Sequence, residues 1–210
     1  MDFLEQYVQN YSENYPFRYI ESMSLKILDV SIGLDIFEYE NKYNHRERAH
    51  VSFKKSGFLY GCVFCDEHDY ENSFFPVVLN GQRLICFRKT LYGFTLINAD
   101  NLRVEFEYFP EYLVEGEESF IIVNVKQIEN ILIFEGCYWA CPHQCFAFDY
   151  EKKLFLDVSK MCGIVSLDQT ALQENALILS GTDKKGCAKS VTVTKQDLIA
   201  GIDKNGKTDF

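Results

Sequence analysis

Short apolar segments recur along the chain at a spacing of about 46 residues, and this period constrains the fold more than any other feature. Similar segments begin at Arg83, Asn130 and Asn175, and a fainter one begins at Leu34. Each is followed by further apolar stretches and by turn signals. Forty to fifty residues is about the length of one four-stranded propeller blade. The spacing therefore predicts about four weak blade-like β repeats over residues 34–195.

Alternating apolar and polar residues predict that these repeats consist of strands. From Leu102 to Tyr108, apolar side chains occupy every second position and charged ones fall between them. The runs Phe120–Val123 and Ile131–Phe134 are apolar on both faces, as expected for strands inside a buried sheet. The 18 Phe and 13 Tyr residues favour sheet as well. We expect a mainly β protein whose antiparallel meander forms either a sandwich or half-barrel, or a small propeller-like array of blade-sized repeats.

The two ends of the chain differ from its middle. Phe3, Leu4, Tyr7, Val8 and Tyr11 lie on one face of a helix, which predicts a short N-terminal helix over residues 1–15. Residues 200–210 are mostly polar, which predicts a polar C-terminal tail. The length of 210 residues is that of a single β-rich domain covering 1–210.

Charge and cysteine content exclude several classes of partner. The formal net charge of −10 opposes nucleic-acid binding, because phosphates repel an acidic surface. No window approaches 18 uninterrupted apolar residues, and the N-terminus lacks a basic region followed by an apolar core, so neither a membrane partner nor export is expected. Eight cysteines without an export signal are most simply free thiols in a reducing compartment. We therefore expect a cytoplasmic protein.

Two cysteine clusters raise the alternative of a zinc site. Cys62 and Cys65 have the Cys-x-x-Cys spacing, and a second cluster offers Cys141 and His143 beside Cys137 and Cys145. Strand geometry weakens this alternative, because residues 137 and 141 would lie about 13 Å apart in one extended strand. They would share an ion only if the chain folded sharply near Trp139–Ala140 or Pro142. The competing interpretation is that these cysteines are ordinary thiols, since free cysteine is often a small core residue.

No motif assigns a catalytic residue. The chain lacks a phosphate-binding glycine loop, a Gly-x-Ser-x-Gly elbow and a His-Glu-x-x-His motif. His143 and Cys145 share a strand face, but neither a base within reach nor an oxyanion hole is evident nearby. The leading interpretation is therefore non-enzymatic.

Acidic residues and aromatic residues occur together in two loops, around 66–71 and 111–118, and the only Trp lies in an aromatic turn. Tyrosine and tryptophan supply contact area and carboxylates steer a basic partner. The binding residues predicted on this basis are Asp66, Asp69, Glu111, Tyr112, Glu115, Tyr138 and Trp139. The sequence thus predicts a protein-interaction domain that binds a basic protein and requires no cofactor. The alternative is a zinc-binding or thiol-dependent protein that uses Cys62, Cys65, Cys141 and His143 within its two cysteine clusters.

Overall fold

A computed structural model describes residues 18–40, 45–64, 70–90, 92–109, 120–138 and 141–208. The helix predicted over residues 1–15 lies outside these ranges.

The described residues form fifteen strands in four small antiparallel sheets, and each sheet is built from strands that are consecutive in the chain. Sheet 1 contains β1 (Arg18–Ile27), β2 (Val30–Glu40), β3 (His45–Lys55) and β4 (Phe58–Phe64). Sheet 2 contains β5 (Phe74–Leu79), β6 (Gln82–Thr90), β7 (Gly93–Asn98) and β8 (Val104–Tyr108). Sheet 3 contains β9 (Phe120–Ile128), β10 (Ile131–Tyr138), β11 (His143–Asp149) and β12 (Leu154–Asp157). Sheet 4 contains β13 (Ser166–Gln173), β14 (Ala176–Thr182) and β15 (Ala188–Thr194).

The prediction of a mainly antiparallel β protein is confirmed. The four apolar segments that define the sequence period, near residues 34, 83, 130 and 175, coincide with the second strand of each sheet. Short connections explain the meander order, because two-residue turns can join only antiparallel neighbours. The Asn80–Gly81 turn, for example, has positive φ angles of 50° and 73°, as the twist of a tight hairpin requires.

The chain divides into two compact units, where the sequence analysis expects one domain. The first contains Met1–Pro76 and Arg83–Tyr108, and the second contains Val77–Gln82 and Phe109–Phe210. Side-chain hydrogen bonds hold the short segment 77–82 within the second unit. The Val78 N–H donates to Gln127 Oε1 at 3.0 Å, and the Asn80 N–H donates to Asn130 Oδ1 at 2.7 Å.

In the first unit the core lies between sheets 1 and 2. Sheet 1 contributes a face of aliphatic residues from β2 and β3, including Ile32 and Leu34, which are fully buried. Phe53 of β3 meets two phenylalanines of sheet 2, with ring centroids 5.9 Å from Phe74 and 5.5 Å from Phe87. The two rings of sheet 2 stack on each other at 4.8 Å. This aromatic cluster joins the two sheets.

The core of the second unit takes residues from sheets 3 and 4 and from two helices. Helix α1 spans Val158–Met161 and helix α2 spans Lys195–Asn205, and the first unit contains a 3-10 turn at Glu71–Ser73. The strand residues of this core include Ile133, Ala147 and Leu179, all fully buried. Val158 of α1 is buried in the same cluster.

Helix α2 is a correction to the polar tail expected over 200–210, because the chain is helical through Asn205. Leu198 and Ile202 are one helical turn apart and are both buried in the core. A capping box begins the helix: Thr194 Oγ1 accepts from the Asp197 N–H, and Asp197 Oδ2 accepts from the Thr194 N–H.

The strand predicted from Leu102 to Tyr108 begins later, at Val104. Leu102 has a φ of 58° and belongs to the preceding turn. The pairing with β7 shifts between Leu96 and Ile97, so the strand does not follow a simple alternation. Val104 is consequently 42% exposed, although the alternating pattern predicts that it faces inward with Tyr108.

Candidate protein-interaction surface

Two hairpin turns lie at the same end of sheet 1. Leu28–Asp29 connects β1 to β2, and Ser56–Gly57 connects β3 to β4. Ser31 pairs with Lys54 across β2 and β3, which places both turns at one end of the sheet. The φ angles of Ser56 and Gly57 are 44° and 89°, so both residues adopt the left-handed conformation that tight hairpins require.

A groove of about 600 Å³ lies at this end of the sheet. Its lining includes Asp29 of the first turn and Ser31 of β2. The other lining residues are the second turn and the strand ends on either side of it: Lys54, Lys55, Ser56, Gly57, Phe58 and Leu59. Two large apolar side chains belong to the lining and remain open to solvent, Phe58 at 53% and Leu59 at 67% exposure. Leu28, in the adjacent turn, is 40% exposed.

The outer face of sheet 1 explains why Leu59 has so little cover. Leu59 pairs with Lys54, and its neighbour two residues along the strand on the same face is Gly61. The row across the sheet that includes Gly61 contains only small residues: Ser24, Gly33, Ser52 and Gly61. Because this row offers almost no side-chain bulk, a partner can approach the backbone beside Leu59 closely.

An ion cluster fixes the polar side of the groove. Lys55 Nζ lies 2.9 Å from Asp29 Oδ2 and 2.9 Å from Asp100 Oδ1. Arg83 also contacts both carboxylates: its Nη2 lies 2.6 Å from Asp29 Oδ1, and its Nη1 lies 3.3 Å from Asp100 Oδ1. Lys55 also donates to the Ala99 carbonyl oxygen at 2.7 Å, and its side chain is only 14% exposed. The cluster joins both turns of sheet 1 to sheet 2 within the first unit.

The charges of this cluster compensate one another. A hydrogen bond from Lys55 lowers the pKa of Asp29, and the same bond raises the pKa of Lys55. Two cations and two carboxylates sum to zero, so the cluster adds no net charge to the groove, whose lining also includes the exposed cation Lys54. The charge available for attracting a partner therefore lies elsewhere on the acidic chain.

Four of the predicted residues belong to the aromatic segment around the end of β10: Tyr138, Trp139, Cys141 and His143. Tyr138 ends β10 and is half-buried, its ring packed edge-on against Phe120 at 5.6 Å. Cys141 and His143 are exposed on the far side of the turn. Trp139 lies outside the described residues. A hydrogen bond of 2.8 Å from the Cys141 N–H to the Tyr138 carbonyl oxygen shows that the chain folds back sharply here. Residues 137 and 141 therefore do not lie in one extended strand, and the separation of about 13 Å given for that case does not apply to them.

Most of the other predicted site residues lie outside the described part of the chain. They are Asp66, Asp69, Glu111, Tyr112, Glu115 and Cys65. Cys62 belongs to β4, but its side chain is not among those described. The binding loops and the four-residue zinc set therefore remain predictions. Among the described residues, no group of three or more His, Cys, Asp or Glu side chains is arranged to hold a metal ion.

Three cysteines are core residues, as the thiol interpretation expects. Cys86, Cys145 and Cys162 are buried free thiols. Burial raises the pKa of all three, most strongly for Cys86 and Cys145. A protonated, inaccessible thiol is a poor nucleophile, so the His143–Cys145 pair does not form a reactive dyad.

The groove beside Phe58 and Leu59 was not predicted from the sequence. The Ser56–Gly57 pair was the available signal for a tight turn. The ion cluster had no local signal, because its four members come from separate turns and strand ends that only the folded chain brings together.

None of the helices in the described residues approaches the length of a membrane span. The longest has 11 residues, whereas about 20 are needed to cross the apolar part of a bilayer.

No protein-family model matches the chain. No curated protein matches it either. Among solved structures, the crystal structure of HIRA residues 644–1017 is similar with a TM-score of 0.37 and 9% sequence identity. That alignment covers 88% of this chain and 60% of the HIRA chain.

Proposed function

We propose that this protein is a non-enzymatic interaction module that binds another protein through the hairpin ends of its small sheets. The observation that carries the proposal is the groove at the end of sheet 1, with Phe58 and Leu59 exposed beside the ion-paired side chains of Asp29 and Lys55. Large apolar side chains at the centre of a contact, surrounded by polar groups, are the usual arrangement of an interface hot spot.

The energetics of the groove support this role. Burying the exposed parts of Phe58 and Leu59 would contribute about 1–2 kcal/mol each. The ion cluster already holds Lys55 and Arg83 in place, so little side-chain freedom is lost when a partner binds. The small-residue row beside Leu59 permits a partner to make close contact with the sheet.

The acidity of the chain indicates the chemistry of the partner. A net charge of −10 attracts a basic protein and accelerates its association. We propose that the loops around Asp66–Glu71 and Glu111–Glu118, together with the turn at Trp139, supply this acidic and aromatic contact. We further propose a cytoplasmic location; the six cysteines whose side chains the structure describes are free thiols, which agrees with a reducing environment.

The test compares partner capture by three forms of the full chain. These are the wild type, the double variant Phe58→Ser/Leu59→Ser, and the control Val104→Ser, which removes a valine of similar exposure in the same unit. Proteins retained from an extract of the host are identified and quantified by mass spectrometry. We expect a partner that binds the wild type and the control equally and binds the double variant about 100-fold more weakly, as a loss of about 3 kcal/mol implies.

Salt provides the second arm of this test. Affinity for a basic partner should fall as sodium chloride is raised, because screening weakens charge attraction. If every captured protein is retained equally by all three forms, the groove is not the binding site. If affinity is unchanged by salt, the partner is not selected by charge.

The zinc alternative is tested separately by elemental analysis of the purified chain. It rests on the spacing of Cys62 and Cys65 and on the position of Cys141 and His143 at one sharp turn. About one zinc per chain, lost on Cys62→Ser, would establish it. Substoichiometric zinc in both the wild type and the variant would eliminate it.

A further inference from the structure

Two cysteines, Cys137 and Cys141, lie at the end of the β10–β11 hairpin. Cys137 is the next-to-last residue of β10, and it pairs with His143, the first residue of β11. Cys141 lies two residues before His143, and its N–H donates to the Tyr138 carbonyl oxygen at 2.8 Å. Paired residues of antiparallel strands have Cα atoms about 4.5–5.5 Å apart. The pairing of Cys137 with His143 therefore brings Cys141, two residues before His143, back toward Cys137. The turn closed by this hydrogen bond holds the Cα atoms of residues 138 and 141 within about 7 Å. Cys137 directly precedes residue 138, so the hairpin brings the two cysteines toward the Cα separation of about 4.4–6.8 Å that a disulfide needs.

The two thiols differ in accessibility. Cys141 is exposed, whereas Cys137 is half-buried beside it. Burial raises the pKa of Cys137, and the neighbouring Cys141 thiol raises it further, since two thiolates repel each other. This effect of Cys141 on the pKa of Cys137 supports their proximity.

We propose that Cys137 and Cys141 are a vicinal dithiol site that low-molecular-weight disulfides, such as oxidised glutathione, convert reversibly to an intramolecular disulfide. The Cys141 thiolate first attacks oxidised glutathione, forms a mixed disulfide and releases one glutathione thiolate. The Cys137 thiolate then attacks Cys141 Sγ, forms the Cys137–Cys141 bond and releases the second glutathione. Two protein thiols are oxidised, one glutathione disulfide is reduced to two glutathiones, and two protons pass to water or to the released thiolates.

The structure sets the order of these steps. Cys141 is the first to react with the oxidant, because it is exposed whereas Cys137 is half-buried. Formation of the mixed disulfide removes the Cys141 thiolate, and with it the charge that opposes ionisation of Cys137.

Cys187 provides an internal control. It is exposed like Cys141, but the β14–β15 connection that holds it contains no second cysteine. Its N–H donates to Asp183 Oδ1 at 3.0 Å, which fixes that turn. A glutathione adduct on Cys187 therefore has no neighbouring thiol in its own turn to displace it.

The experiment incubates the reduced full-length chain with oxidised glutathione without oxygen, blocks the remaining thiols, and maps each cysteine by mass spectrometry. We expect Cys187 to retain glutathione, and Cys137 and Cys141 to be joined to each other. In Cys137→Ser, glutathione should accumulate on Cys141 to the level seen on Cys187. In Cys141→Ser, Cys137 should remain largely unmodified. Far-UV circular dichroism of each variant checks that the sheets are retained.

Two outcomes would overturn the proposal. One is persistent glutathione on Cys141 of the wild-type chain at the level of Cys187, because it would show that Cys137 does not reach Cys141. The other is a disulfide that joins either cysteine to a residue outside the hairpin, such as Cys62 or Cys65. Because the wild-type chain alone distinguishes these outcomes, the test does not depend on the folding of the variants or on the proposed interaction function.

Discussion

Replacing Gly136 by alanine tests the close approach of β9 to β10. The pairing register of these strands shifts between Glu135 and Gly136, so β9 has one extra residue at this point. A Cβ atom added to Gly136 would lie 1.8 Å from the Ile121 carbonyl oxygen and 2.8 Å from Phe120 Cζ. The bulge thus directs a backbone carbonyl into the space where any other residue has its side chain.

The expected loss of stability in Gly136→Ala follows from how far the neighbouring backbone must move to admit the alanine Cβ atom. Contacts of a Cβ atom below 3.0 Å essentially do not occur, so Ile121 would have to move by more than 1 Å. Ile121 is buried and belongs to the sheet backbone, which cannot turn aside like a flexible side chain. Overpacking a core lowers the free energy of unfolding by about 1–3 kcal/mol. Because Gly136→Ala forces the backbone to move, we expect a loss at the upper end of this range, about 3 kcal/mol.

Gly61→Ala is the matched control. Its added Cβ would lie 3.8 Å from the Val51 carbonyl oxygen, an ordinary contact, and the position is exposed in a strand. Alanine restricts the unfolded chain, so the control should be neutral or more stable by about 0.5 kcal/mol. Urea unfolding followed by far-UV circular dichroism measures both variants. Equal stability of the two variants would show that Ile121 does not occupy the space above Gly136, and would refute the bulge geometry.

Substitutions at three further positions test the packing of the first core and the charged groups of the second unit. Phe87→Ala should lower the free energy of unfolding by about 4 kcal/mol in urea titrations, since Phe87 is fully buried and stacked on Phe74, whereas Phe87→Leu should cost much less. Lys126→Met should lower the free energy of unfolding by about 2 kcal/mol, because it leaves the mostly buried Glu135 carboxylate without its ion pair. Thermal unfolding measures the change, and a variant as stable as the wild type would contradict this prediction. Burial raises the pKa of Asp157, so its protonated form is favoured in the folded chain and its contribution to stability decreases as pH rises through that pKa. Asp157→Asn should remove this pH dependence and keep the α1 N-cap, whereas Asp157→Ala should cost about 1 kcal/mol.

The sheets were predictable because their signals are local. Strands such as Phe120–Ile128 and Ile131–Tyr138 have continuous apolar runs, and the Asn80–Gly81 turn has a characteristic composition. Bulges have no such signal, since they depend on the partner strand. For this reason the inward orientation expected for Val104 is wrong, although the strand itself exists.

Helix α2 could have been predicted. The Thr194-x-x-Asp197 pair is a capping signal, and Leu198 and Ile202 are spaced by one helical turn. The polar residues around them concealed this pattern because only two side chains face the core. The groove at the end of sheet 1 was less accessible to sequence reasoning. Its wall depends on Asp29 and Asp100, which are 71 positions apart in the chain and are joined only by Lys55 and Arg83.

Helix α2 also explains how a three-stranded sheet completes the core of the second unit. Sheets 1 to 3 each have four strands, whereas β15 of sheet 4 is followed directly by the helix. Leu198 and Ile202 enter the core that sheets 3 and 4 share, so the helix buries apolar area that a fourth strand would otherwise supply. A Cβ on Gly201 would lie 2.7 Å from Leu156 Cδ2, which shows how closely the helix packs on β12. The first described cluster combines residues of sheets 1 and 2 and the second combines residues of sheets 3 and 4, so in both units a repeat of about 46 residues buries an apolar face against its neighbour in the chain.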